Sequence, residues 1–168
     1  MPEAKRDVVA AILDQWRAER PEVDYAGVEV WARIARVGQV ADRQLRELQA
    51  RHGLEPWEYD VLAALRRAGK PYELTAGELT KAMLVVSGTI TNRVDRMAAR
   101  GLVQRTASRR DRRSTLVRLT RAGLTAIDEA MPTLAAGELD LLSGLTAAER
   151  DRLALLLRRL LLSLGDRG

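Results

Sequence analysis

Four arginines, Arg109, Arg110, Arg112 and Arg113, flank a single acid, Asp111. A guanidinium stays charged and presents a rigid fork of donors that fits phosphate or the edge of a guanine. On a thin projecting loop such groups can enter a minor groove, where negative potential collects them. Asp111 would repel a polyanion. Its place is within the cluster, holding a neighbouring guanidinium such as Arg113 in one orientation. A second set lies upstream: Ser87, Gly88, Thr89, Thr91, Asn92 and Arg96 are all short or polar. Asn suits a bidentate contact to adenine, Arg one to guanine, and Thr a thymine methyl or a phosphate. The backbone N–H groups of Ser87 and Gly88 suit a phosphate.

Other chemistry lacks its side chains. There is no cysteine, hence no disulfide, thiolate nucleophile or thiol switch. One histidine, His52, cannot build a multi-His metal site, and a carboxylate-only site would favour hard cations. No G-x-x-x-x-G-K loop occurs. The expectation is a protein without cofactor or metal and not an enzyme. No early apolar run matches a signal-peptide core, and Arg158 and Arg159 interrupt the Leu-rich tail. A cytoplasmic protein without a membrane span is expected.

The chain has 168 residues, about one domain's worth, and a net charge of +5. That modest figure conceals a partition. Residues 66–121 hold 14 cations and four acids, a local +10, and the remainder is −5. A local arginine block flanked by acidic arms points to a nucleic-acid surface; the bland alternative is a solvated face.

The positioning elements follow from periodicity. Residues 4–19 read as a helix with Val8, Ile12 and Trp16 spaced by four, ended by Arg20-Pro21. Residues 28–51 read as a second helix, closed by His52-Gly53. Pro56 opens a third, with Val61, Leu62 and Leu65 on its core face. Thr75 and Glu78 have capping-box spacing and start a short helix to about Met83. Ser87 caps another that runs to about Arg100, where Gly101 ends it. Two short helices, the second bearing arginines, form a helix-turn-helix pattern. On the second helix Ile90, Val94 and Met97 cluster on one face, with Asn92 and Arg96 opposite. Alternation then predicts strands at 102–105 and 115–119, a hairpin whose tip carries the four arginines. A helix from Arg121 is expected to bend or break at Pro132.

The tail has a second capping box, Thr146 and Glu149, and then eight leucines between Leu153 and Leu164. A helix so apolar needs burial on several sides. Two readings stand: a dimer in which N- and C-terminal helices intertwine, or a core helix within one chain. The fold expected is mostly α with a small β-hairpin wing. Its parts are dimerising and ligand-arm helices at 1–53, a winged helix-turn-helix at 54–120 and C-terminal dimerisation helices at 121–168.

Asp111-Arg112-Arg113-Ser114-Thr115-Leu116-Val117-Arg118-Leu119-Thr120 resembles the D-x-R-x-x-x-V-x-L-T wing motif of the MarR family. Gly101-Leu102-Val103 and Thr120-Arg121-Ala122-Gly123 match around it. The resemblance implies a dimeric winged-helix transcription regulator, most simply a repressor, that binds a palindromic operator in double-stranded DNA and is released by a small ligand. The added N-terminal helix, ending Gln15-Trp16-Arg17-Ala18-Glu19-Arg20-Pro21, is similar to the subgroup that responds to urate or related anions. By that resemblance Trp16, Asp60, Arg93 and Arg105 serve the ligand response, the ligand being urate-like or phenolic. The wheel places Arg93 about 70° from the core direction, able to face a cleft. Alternatives stay open for three of them: Trp16 in a dimer core, Asp60 paired with a structural arginine, Arg93 on a phosphate. A constitutive DNA-binding or architectural protein without an effector would share every DNA feature.

Overall fold

In the computed structural model, residues 6–83, 90–107 and 115–166 are described. The chain divides after Gln44 into two units. In the first, Asp7 caps α1 (Val8–Glu19), its carboxylate accepting from the Ala10 N–H at 2.7 Å. The N-terminal part of α2 (Ala26–Arg51) packs on it. Val9 and Leu13 are buried with Tyr25, and Ala32 packs against them. Arg33 ties the two helices, reaching Asp7 at 2.9 Å and Glu29 at 3.3 Å. α1 thus starts later than expected, at Val8, and α2 earlier, at Ala26.

The second unit holds the hydrophobic core. α3 (Pro56–Arg67) contributes Val61, Leu62 and Leu65, all fully buried. Proline at the first position of α3 costs no hydrogen bond, because that N–H has no helical partner anyway. α4 (Ala76–Ala82) begins at the expected capping box, with the Glu78 N–H donating to Thr75 Oγ1 at 3.2 Å and the Thr75 N–H to Glu78 at 2.8 Å. α5 (Ile90–Ala99) inserts Val94 and Met97. Its chain reverses at Gly101, whose φ of +70° falls where glycine carries no Cβ penalty.

Three strands form an antiparallel sheet in the order β1-β3-β2: β1 (Glu73–Thr75), β2 (Val103–Ala107) and β3 (Thr115–Leu119). β2 and β3 are the expected hairpin. β1 is an addition to it. Three residues are too few to show an alternating pattern, and β1 exists as a strand because it pairs with β3. Glu73 stands opposite Arg118 in that register, and the Arg118 Nε–H donates to Glu73 at 2.7 Å.

α6 (Arg121–Leu141) passes through Pro132 without ending, so of the expected bend or break the break does not occur. Proline removes one backbone donor, a cost that burial on both sides offsets. Ile127 and Ala130 before it and Leu134 after it are all buried. The α6 start is welded to the turn before β2: Thr120 Oγ1–H donates to the Gly101 carbonyl at 2.6 Å and accepts from the Gly123 N–H at 3.0 Å. α7 (Ala147–Ser163) follows its capping box as expected. It buries none of its residues, so its leucines are not core within this chain.

Candidate nucleic-acid interface

α5 is amphipathic as its wheel predicts. Val94 is 2% exposed and Met97 0%, while Thr91, Asn92 and Arg96 lie on the open side. The order α4, α5, β2, β3 delivers this helix and then a hairpin. Residues 84–89 and 108–114 fall outside the described residues. Ser87, Gly88 and Thr89, expected at the start of the recognition helix, and Arg109, Arg110, Arg112 and Arg113 with Asp111, expected on the hairpin tip, fall there too.

Many arginines of the basic block are held within the chain. Arg66 donates to Asp128 at 2.7 Å and lies over the Tyr72 ring. Arg67 donates to the Ala82 carbonyl at 2.7 Å, closing the end of α4. Arg100 pairs with the buried Glu58 and donates to the Gly53 carbonyl at 2.8 Å. Arg118 is the cross-strand partner of Glu73. The local +10 of residues 66–121 is therefore not all available to a polyanion. These four arginines brace helices and strands.

Two further arginines share an aromatic ring. Trp57, in the first turn of α3, has the Arg93 guanidinium 5.4 Å from its ring centroid and the Arg96 guanidinium 4.9 Å away. Arg93 and Arg96 are three apart on α5, so they project from neighbouring turns of one face. Asp60 lies three residues beyond Trp57 on α3, and it too shares a face with its neighbour. Burial pushes the Asp60 carboxyl above its ordinary range, while the positive charges of Arg93 and then Arg67 pull it partway back. Asp60 and Arg93 thus belong to one electrostatic cluster, joined by Trp57 and Arg67, which sequence reasoning did not single out. An indole three residues before a half-buried acid was the available signal. The arginines over the indole, Arg93 and Arg96, lie more than 30 positions away and are not visible locally.

Arg105 goes elsewhere. From β2 it donates to Asp95 at 2.7 Å and to the Thr91 carbonyl at 3.4 Å, bracing β2 against α5. It lines a cavity of about 30 Å³ with Ala76, Ile90, Val94 and Val117. That volume holds a water or two and no aromatic ring. Trp16, in the first unit, keeps its indole outside the α1–α2 core, with half its surface exposed. Its carbonyl accepts from the Tyr25 hydroxyl at 3.3 Å. Among the described residues no group of three or more His, Asp or Glu side chains could hold a metal ion. No described helix is long and apolar enough to cross a membrane.

The Asp60 carboxyl makes a testable statement. Its proton is held more tightly in the fold than in the unfolded chain, so its favourable contribution exists at low pH. That contribution is lost as pH rises through the folded value, and at neutral pH the ionised group costs stability. Asp60→Asn is expected to melt at or above the wild-type temperature at pH 7, the difference narrowing below pH 4. A lower melting temperature at pH 7 would make Asp60 a structural partner of Arg93 and Arg67.

A MarR-family sequence profile matches residues 52–114, the stretch from the end of α2 to the hairpin. The chain is 34% identical over 151 residues to the HTH-type transcriptional regulator PecS of Dickeya dadantii (strain 3937), spanning 90% of this chain and 91% of that one. A solved structure of a mutant MarR from E. coli complexed with operator DNA aligns with a TM-score of 0.70 at 27% identity, over 87% of this chain and 97% of that one. Bordetella bronchiseptica BpsR, whose DNA binding is regulated by 6-hydroxynicotinic acid, aligns with a TM-score of 0.68 at 26% identity, over 79% and 98%. Sequence shared along nine-tenths of a curated regulator, on a helix pair followed by a small antiparallel sheet, shows that this chain belongs to the MarR family of winged-helix transcriptional regulators.

Proposed function

We propose that the chain is a ligand-responsive repressor that binds a palindromic operator as a homodimer in the cytoplasm. The observation that carries this reading is α5, with Thr91, Asn92 and Arg96 exposed opposite a buried Val94 and Met97. A polar outer face of that composition suits a major groove. Ser87, Gly88 and Thr89 would extend it, and Arg109, Arg110, Arg112 and Arg113 would take the adjacent minor groove. Helices in 1–53 and 121–168 would dimerise around the DNA-binding residues 54–120. The exposed leucines of α7 support that role, since such a helix gains by covering its apolar surface.

The effector we propose is a planar anion, urate-like or phenolic. Asp60 and Arg93 supply a carboxylate and a guanidinium at one place, beside the Trp57 ring. BpsR responds to 6-hydroxynicotinic acid, an aromatic acid of the same chemical kind. Trp16 and Arg105 enter by the family resemblance alone. Bound ligand would change the spacing of two recognition helices, which must dock in half-sites about 34–36 Å apart.

Both halves are testable on a duplex obtained by in vitro selection with this chain. Arg113→Ala is expected to weaken binding about tenfold and Arg158→Ala to leave it within about twofold. Equal affinities for the two variants would exclude the hairpin tip as a contact. Affinity should also fall steeply between 50 and 200 mM salt, because several phosphates are neutralised. Urate and 6-hydroxynicotinate are the probes for release. Should neither change anisotropy, with Trp16→Ala and Asp60→Ala equally without effect, the chain is a constitutive binder.

A further inference from the structure

We propose that Trp57 is a positioning residue for DNA recognition, holding Arg96 flat so that its donor edge is presented outward. The inference rests on the reading of α5 as the recognition helix. Arg96 is exposed, yet its guanidinium carbon lies 4.9 Å from the centroid of the Trp57 ring. Stacking on an indole engages the face of a guanidinium and leaves the N–H edges free. Those edges are what a guanine takes. An unsupported arginine has many rotamers and must lose them on binding, whereas a stacked one has already lost most of them. Trp57 itself lies outside α5. It belongs to α3, beside Glu58, which is 1% exposed.

The same ring carries Arg93, 5.4 Å away and half-buried beside Asp60. Two like charges three residues apart on a helix repel. The indole's negative face and the Asp60 carboxylate offset that repulsion. Trp57 therefore supports one arginine turned inward to an acid and one turned outward. Sequence inspection alone gives neither pairing, since Trp57 reads as an ordinary first-turn aromatic of α3.

The test is a double-mutant cycle read by fluorescence anisotropy on the selected duplex and on a random duplex of equal length. Trp57→Leu is expected to weaken binding to the selected duplex about fivefold to tenfold, with less than about twofold change on the random duplex. Trp57→Phe, which keeps an aromatic face, should recover part of the loss. In an Arg96→Ala background, Trp57→Leu should add less than about twofold. An undiminished loss in that background, an equal loss on both duplexes, or no loss at all each overturns the proposal. Wild-type chain without preference for any selected duplex overturns the repressor reading, and the proposal with it. Should Trp57→Leu fail to fold, Trp57→Phe and Trp57→Tyr carry the same cycle with smaller expected changes.

Discussion

Arg100→Ala is expected to destabilise the unit built on residues 45–168 by about 3 kcal/mol, lowering its melting midpoint by roughly 10 °C. The reason lies in Glu58. Its side chain is 2% exposed, and its carboxylate accepts from the Glu55 N–H at 3.0 Å and from the Arg100 guanidinium. Arg100 also caps the Gly53 carbonyl at 2.8 Å. It therefore fastens the end of α5 to the start of α3 and to the turn before it. Alanine would leave a desolvated carboxylate with one backbone donor, and breaking such a pair costs far more than losing a surface contact. The value chosen lies at the low end for buried pairs because the Arg100 side chain is 47% exposed. The control is Glu58→Gln, which keeps the reach to the Glu55 N–H and removes the charge. In that background Arg100→Ala should cost less than half as much. Thermal unfolding of the four chains gives the cycle, and a loss under about 1 kcal/mol for Arg100→Ala alone would refute the account.

Gly123→Ala is the second large effect. A Cβ on Gly123 would stand 2.0 Å from the Leu102 carbonyl oxygen, far inside van der Waals contact with backbone. The helix cannot slide away cheaply. Thr120 binds the Gly101 and Leu102 carbonyls at 2.6 and 3.1 Å while accepting from the Gly123 N–H. A loss of about 3 kcal/mol or more is expected, read as a shift in the urea midpoint at constant slope. Gly77→Ala gives the contrast. It also lies in the first turn of a helix, α4, but nothing stands within 4 Å of its added Cβ. There the better helix propensity of alanine should stabilise by up to about 1 kcal/mol. If both substitutions are tolerated alike, close approach does not explain the Thr-Arg-Ala-Gly sequence at 120–123.

What the sequence disclosed was local. Thr75 with Glu78 and Thr146 with Glu149 announce helix starts because a capping box closes within four residues, and both form. The Ile90, Val94 and Met97 face is legible because a helix repeats in sequence what it repeats in space. The third reciprocal start, Glu55 with Glu58, went unread because its first residue is an acid and not Ser or Thr. The other features missed were made by pairing at a distance. β1 needs β3, Pro132 is carried by burial on both sides, and Arg100 reaches a carboxylate 42 residues upstream. Of the residues expected to serve a ligand, Asp60 and Arg93 share one electrostatic cluster, while Arg105 braces α5 through Asp95. The pairing of Trp57 with arginines could not be inferred, because the cations over its ring come from another helix.

The bare α7 helix has a consequence for how much of this protein a cell must make. Leu155, Leu156, Leu161 and Leu162 each keep about half their surface open to solvent. Where a second copy covers them, folding becomes linked to association, and the apparent stability rises with total chain concentration. Dilution then acts as a denaturant. A repressor of this build would lose operator occupancy faster than its copy number falls, because both the folded fraction and the dimer fraction decline together. Gene control would then respond to dosage with a threshold set by the exposed leucines of α7.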